Sequence, residues 1–277
     1  MRTVQSAPAS PSLRPFVRAF AHRRATGVFQ AQPMPAYLET IVHFDFADLP
    51  IVQSAGGGVG LGRPLALVGP HTHAGTNVRF EGSIDSFAIF LQPGALWSLF
   101  RVPTSVVNET HFDAEDVLGA PVAELWRVLA ETPEFGKRIR TAESFIRKHA
   151  NLEYEATVTT VAASLMARRG GRIAIHDLAS RMYLSARQLE RSFLREVGIS
   201  PKRFARVARF QTALDARVSR PDQSWIDIAI NSGFHDQMHM VHEFHSLGGF
   251  SPTLTVERLG DSRPSALAAS HGWSVTD

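Results

Sequence analysis

Apolar positions in this chain follow two different periods. Up to about residue 91 they gather in short runs, Tyr37–Phe46, Leu65–Val68, Asn77–Phe80 and Ser86–Leu91, rich in aromatic and β-branched residues and bounded by turn formers. That pattern predicts strands. The stretch Ser54–Gly62 (SAGGGVGLG) reads as a flexible loop between two of them. Further on the period lengthens to that of a helix. Val122–Ala130 places Leu125, Val128 and Leu129 on one side, and Phe135–His149 does the same with Ile139, Ala142 and Ile146. Ala156–Arg169 follows with Val158, Val161, Ala162, Leu165 and Met166, and Gly170-Gly171 stops it. The expected fold class is therefore α+β: a small β-barrel-like domain with helices over residues 1–150, then an all-α domain over 155–258. Residues 259–277 are small, polar and unpatterned and read as a disordered tail.

The helical half contains an internal repeat. Phe193, Gly198, Ser200 and Pro201 return 51 residues later as Phe244, Gly249, Ser251 and Pro252, with Leu189 and Met240 at equivalent places. Each copy reads short helix, turn, second helix, Gly, Ser-Pro, the order of a helix-turn-helix followed by a further helix. Local chemistry agrees. Ser185 and Gln188 have capping-box spacing, as do Ser224 and Asp227. Leu189, Phe193 and Val197 make a buried stripe, while Arg187, Arg191 and Arg195 lie at i, i+4 and i+8 and form a basic ridge on another face. Ser200 caps the next helix with Pro201 at its first position. That helix carries Phe204, Val207, Ala208, Gln211 and Leu214 on one side and runs to about Arg217. Asp236 caps the last long helix, through Met240, Phe244 and Leu247.

Charge sharpens the picture. The whole chain carries a formal +3. Residues 181–209 alone hold eight cations, Arg181, Arg187, Arg191, Arg195, Lys202, Arg203, Arg206 and Arg209, against Glu190 and Glu196, a net +6. On a solvated helix face this would be unremarkable; beside a helix-turn-helix it is a footprint for phosphates. The absence of cysteine excludes disulfides, thiolate zinc sites and thiol nucleophiles, and fits a reducing cytoplasm. No apolar run approaches a bilayer span of about 20 residues, and the N-terminus lacks the apolar core of a secretory signal.

The segments IHDLASRMYLSARQLERSFLREVGISPKRF (175–204) and WIDIAINSGFHDQMHMVHEFHSLGGFSP (225–252) resemble the AraC/XylS family of bacterial regulators. The resemblance covers roughly residues 155–256. It implies seven helices, two helix-turn-helix units joined by a linker helix, with both recognition helices entering successive major-groove segments of double-stranded DNA about 34 Å apart. Carried over by position, Arg187, Glu190 and Arg191 face the groove in the first unit, with Ser185, Gln188 and Arg195 beside them. Gln237, Met238, His239 and His242 stand at the matching places in the second. Arginine suits guanine and glutamate can accept from cytosine. The second unit departs from the family pattern: His242 replaces a usual Arg or Lys, and Met240 a usual aromatic or Leu. The first unit is thus expected to dominate affinity.

The first 150 residues are similar to the cupin-like sensor domain that often precedes this unit, through strand layout and fragments such as SPSLRPFVRAFAHR and FLQPGALWSLFRVP. That implies a small-molecule effector, a homodimer with Phe135–His149 as a candidate interface, and RNA polymerase as a partner if the protein activates. No cofactor is implied. His71-Thr72-His73 reads as a surface or loop pair rather than a metal site, because the nearest glutamate, Glu81, is badly spaced. Gly58–Gly62 lacks P-loop and Rossmann spacing, and no nucleophile elbow is present. Trp97, Phe100 and Trp126 are core positions or the wall of a ligand pocket. Two alternatives stay open: a cupin-type metalloenzyme with an appended helical domain, and a DNA-binding-defective relative acting through protein contacts. Alkyl-accepting DNA repair, which also uses such a helical unit, needs a cysteine.

Overall fold

The computed structural model describes residues 3–53, 57–107, 111–152 and 156–259. The expected tail beyond 259 lies outside them. Among the described residues the first part is an eight-stranded antiparallel sheet. Its main path runs β1 (Thr3–Pro8), β2 (Val17–Pro33), β7 (Asn77–Leu91), β3 (Thr40–Asp45), β6 (Leu65–Val68), β8 (His111–Asp113). The small pair β4 (Ile51–Gln53) and β5 (Val59–Leu61) attaches to the first half of β7. Asn77–Phe80 and Ser86–Leu91, read as two strands, are one. Between them Gly82 pairs with Gly27 of β2, both residues have positive φ, and the pairing runs on through them without a register shift. The glycine-rich loop also resolves differently, since its end folds as β5.

One sheet face is covered by helices. Phe20, Val42, Phe44, Leu65, Leu67, Phe87, Ile89 and Leu91 pack against α1 (Ala95–Phe100), α2 (Ala114–Leu118), α3 (Ala120–Ala130) and α4 (Phe135–His149). Leu125, Leu129, Ala142 and Ile146 face inward as their spacing requires, while Val128 is exposed. Arg138 of α4 ties helices to sheet. Its side chain is 1% exposed, donates to Leu129 O and Thr132 O at the end of α3, and pairs with Asp85 of β7 at 2.6 Å.

The second part is helical: α5 (Val158–Arg168), α6 (Ile175–Arg181), α7 (Ala186–Glu196), α8 (Pro201–Ser219), α9 (Trp225–Asn231), α10 (Gln237–Gly248) and α11 (Pro252–Leu259), seven in all among the described residues. One core joins them, with Leu189, Phe193, Phe204, Phe210, Met240 and Phe244 fully buried. Val158 and Val161 do not take part. Helix α5 instead buries Ala162, Ala163, Met166 and Ala167, the small side that lets α8 approach. None of the described helices is long and apolar enough to cross a membrane.

Candidate nucleic-acid interface

Helices α7 and α10 are the second helices of two helix-turn-helix units, and the same local chemistry positions both. Ser185 caps α7 by accepting from Gln188 N–H at 3.2 Å, while Gln188 Oε1 accepts from Ser185 N–H at 2.8 Å. Asp236 caps α10 by accepting from His239 N–H at 2.7 Å. Both helices end on a left-handed glycine, Gly198 (φ 88°) and Gly249 (φ 81°), a conformation that costs an L side chain about 1–2 kcal/mol. At Gly198 space matters too: a Cβ there would lie 2.9 Å from Thr104 Cγ2 and 3.0 Å from Thr104 O. Between the units, α8 spans 19 residues, about 28 Å.

The structure sorts the eight clustered cations. Arg187 and Arg191 project from the exposed face of α7 beside Glu190, and form no ion pair with the described residues. Arg181, Lys202 and Arg203 are also exposed. The other three are engaged within the protein. Arg206 of the linker helix grips Glu243 of α10, with Nε 3.2 and 3.0 Å from its two oxygens. Arg209 donates to Gly171 O at 3.3 Å. Arg195, the third member of the predicted ridge, donates to Glu196 at 2.7 Å and lies over the Trp97 ring at 5.0 Å. It stands at the seam with the first domain. The Ser185 hydroxyl and Gln188 Oε1 serve the cap.

In the second unit Gln237, Met238 and His242 are exposed and His239 is half-buried. His239 Nδ1 accepts from His235 N–H at 3.3 Å, so a neutral His239 carries its proton on Nε2, which lies 3.6 Å from Glu243. Asp236 is held below the ordinary carboxylate range, first by the hydrogen bond from His239 N–H and then by the one from His235. This face offers imidazoles and a thioether where the first offers two guanidiniums.

The seam between the two parts rests on contacts between residues far apart in the chain, which no local pattern announces. The first domain grips the last turn of both recognition helices. Thr104, in a 3-10 turn at Thr104–Val106, donates its hydroxyl to Glu196 O at 2.7 Å. Ala36 N–H donates to Leu247 O at 2.7 Å, and Ala74 N–H to Ser246 O at 3.1 Å. Glu196 and Leu247 are equivalent repeat positions, 51 residues apart. The same orphan carbonyl of a helix C-terminus is therefore satisfied in both units by the first domain. Ala36 and Leu38 reach into the helical core. The Glu196 side chain, buried at this seam, also accepts from Thr157 at 2.7 Å.

The other aromatic and histidine candidates have structural places. His71 is not a surface residue. It is buried, stacked on Tyr37 and set edge-on to His111, and only His73 is exposed. Burial, with the nearby His71 and His43, pushes His111 down to about 4. Among the described residues no group of three or more His, Asp or Glu is arranged to hold a metal. Phe100 and Trp126 pack against the first-domain core, and Trp126 donates to Asp45 O at 3.0 Å.

Two tandem helix-turn-helix units on one core, joined by a linker helix, define a class of domain. Residues 178–258 match the family model for that class, described as "Helix-turn-helix domain". The C-terminal part of this chain is an AraC-type helix-turn-helix domain. No curated protein matches the chain. Among solved structures, ToxT from Vibrio cholerae is similar over 94% of this chain and 98% of its own, at 10% identity and a TM-score of 0.51, a likeness of fold. ToxT from strain SCE256 with a bound unsaturated fatty acid gives 0.48 at 9% identity, over 92% and 94% of the two chains. A DNA-binding transcriptional dual regulator from Escherichia coli K-12 gives 0.33 at 23% identity, over 38% of this chain and 93% of its own.

Proposed function

We propose that the protein is a sequence-specific, DNA-binding transcription regulator that acts by binding rather than by catalysis. Residues 155–258 are the DNA-binding domain, and residues 1–150 are a sensor and dimerisation domain that answers to a small molecule. The observation that carries the reading is the split on α7: Leu189 and Phe193 are fully buried, while Arg187, Glu190 and Arg191 stand exposed with no ion pair to the described residues. Arg187 and Arg191 supply bidentate donors to guanine and Glu190 an acceptor for a cytosine amino group. Arg181, Lys202 and Arg203 meet backbone phosphates. Gln237, Met238, His239 and His242 face the second groove segment. Such a protein works in the cytoplasm, at the nucleoid, and touches RNA polymerase where it activates.

The test is binding of purified protein to promoter fragments recovered from the native host. Affinity should fall steeply with salt, and the double variant Arg187→Ala/Arg191→Ala should lose specific binding while keeping its helical content. Unchanged binding by the folded double variant would sink the assignment of α7 as the reading helix.

A further inference from the structure

A cavity of 430 Å³ opens in the first domain, far in sequence from the helix-turn-helix units. Thr3 and Gln5 of β1, His22 and Arg24 of β2, Pro133 and Glu134 between α3 and α4, and Phe135 and Gly136 at the start of α4 line it. The size falls within the range of small-molecule sites. Its floor is charged. Arg24 pairs with Asp85 through Nε and Nη2 at 3.1 and 2.9 Å, and Arg138 pairs with the same carboxylate at 2.6 Å from beneath. His22, 4% exposed, places Nε2 3.0 Å from Asp85 and stacks on Phe135.

Two guanidiniums share one carboxylate here, and a guanidinium does not deprotonate in proteins. Asp85 stays ionised: burial pushes its pKa up, but its hydrogen bonds with His22, Arg138 and Arg24 outweigh that and hold it well below the usual range. Among the described residues, the two guanidiniums and this one carboxylate leave one positive charge in excess at the cavity floor. The one carboxylate among the lining residues, Glu134, pairs with Lys137 at 3.0 Å. Arg24, 43% exposed, retains N–H groups beyond those given to Asp85. Pro133 and Phe135 provide an apolar wall.

From this geometry we infer that the cavity binds a small molecule bearing one anionic group, a carboxylate or a phosphate ester. The anion meets Arg24 beside His22, and the apolar body lies against Phe135. The inference deepens the effector reading above and rests on it for its consequence in transcription.

Calorimetric titration of the full chain with phenylacetate, phenyl phosphate and the uncharged phenylacetamide tests it. At least one acid should bind about tenfold more tightly than the amide, the worth of a charge-assisted hydrogen bond. The better acid tells carboxylate from phosphate. Arg24→Gln should abolish that preference, and Gln5→Trp, which fills the cavity from an exposed position, should weaken both classes. Arg79→Gln, at an exposed ion pair with Glu81, should change nothing. Equal or absent binding of acids and amide by the unmodified protein overturns the site, as does an Arg24→Gln variant that keeps the preference. Promoter affinity with and without the better acid separates the two readings. Arg24-dependent binding that leaves DNA affinity unchanged keeps the site and removes its effector role.

Discussion

The two helix-turn-helix units share a scaffold and differ in what they present. Both bury a phenylalanine at the same repeat position, both begin on a side-chain cap, and both end on a left-handed glycine, with the carbonyl two residues before it held by the first domain. On the outward face the first has Arg187 and Arg191 where the second has Met238 and His242. The difference teaches that a duplicated fold can be kept by its interior while its surface diverges. Core positions answer to close packing that tolerates little change, whereas exposed helix positions carry almost no folding cost.

The largest effects should treat the units alike. Phe193→Ala and Phe244→Ala each remove a fully buried ring and should each cost about 3–5 kcal/mol of stability, read from urea unfolding. A loss under about 1 kcal/mol in one of them would show that the common core is not equally shared. Next, the units should part. Arg191→Ala should weaken promoter binding by about 1–3 kcal/mol, read by fluorescence anisotropy at fixed salt. His242→Ala, at the equivalent position, should cost less, and the reverse order would refute the ranking. A smaller effect concerns the seam. Thr104→Val deletes the hydroxyl that caps Glu196 O and should cost about 0.5–1.5 kcal/mol in unfolding.

The smallest effect is a pH difference between the caps. Asp236 has a lowered folded-state pKa, so its contribution is fully present above the unfolded carboxylate value. It fades as pH falls through the lower folded value. Ser185 has no carboxylate to protonate, so its cap persists. Amide exchange in the first turn of α10 should therefore quicken in acid relative to the first turn of α7. Parallel behaviour would show that Asp236 does not hold its helix by charge.

Much of the helical half was legible because its signals are local. Caps at Ser185, Ser200, Ser224 and Asp236, the stop at Gly170-Gly171 and the stripe of Leu189, Phe193 and Val197 all act within a few residues. The first domain was read less well. Strands β1 and β2 were missed, since Ala19, Ala21, His22, Arg23 and Arg24 hide the alternation that pairing with β7 enforces. Helix α1 is too short for its period to show. At the candidate interface, Arg187, Glu190 and Arg191 are exposed where helical spacing puts them. The same spacing puts Arg195 on the ridge, where it is exposed; what the spacing could not show is the Trp97 ring, almost a hundred residues away in the chain, beneath its guanidinium. His71 was misread for a like reason, its burial depending on Tyr37 and His111 across the sheet.

The grip of the first domain on Glu196 O and Leu247 O has a consequence for how the molecule breathes. A recognition helix held at its own C-terminal carbonyl cannot fray from that end alone. Opening the last turn of α7 or α10 also releases Thr104 or Ala36. The smallest cooperative unit of opening therefore crosses the middle of the chain, and amide exchange at the ends of both helices reports on the integrity of the sheet.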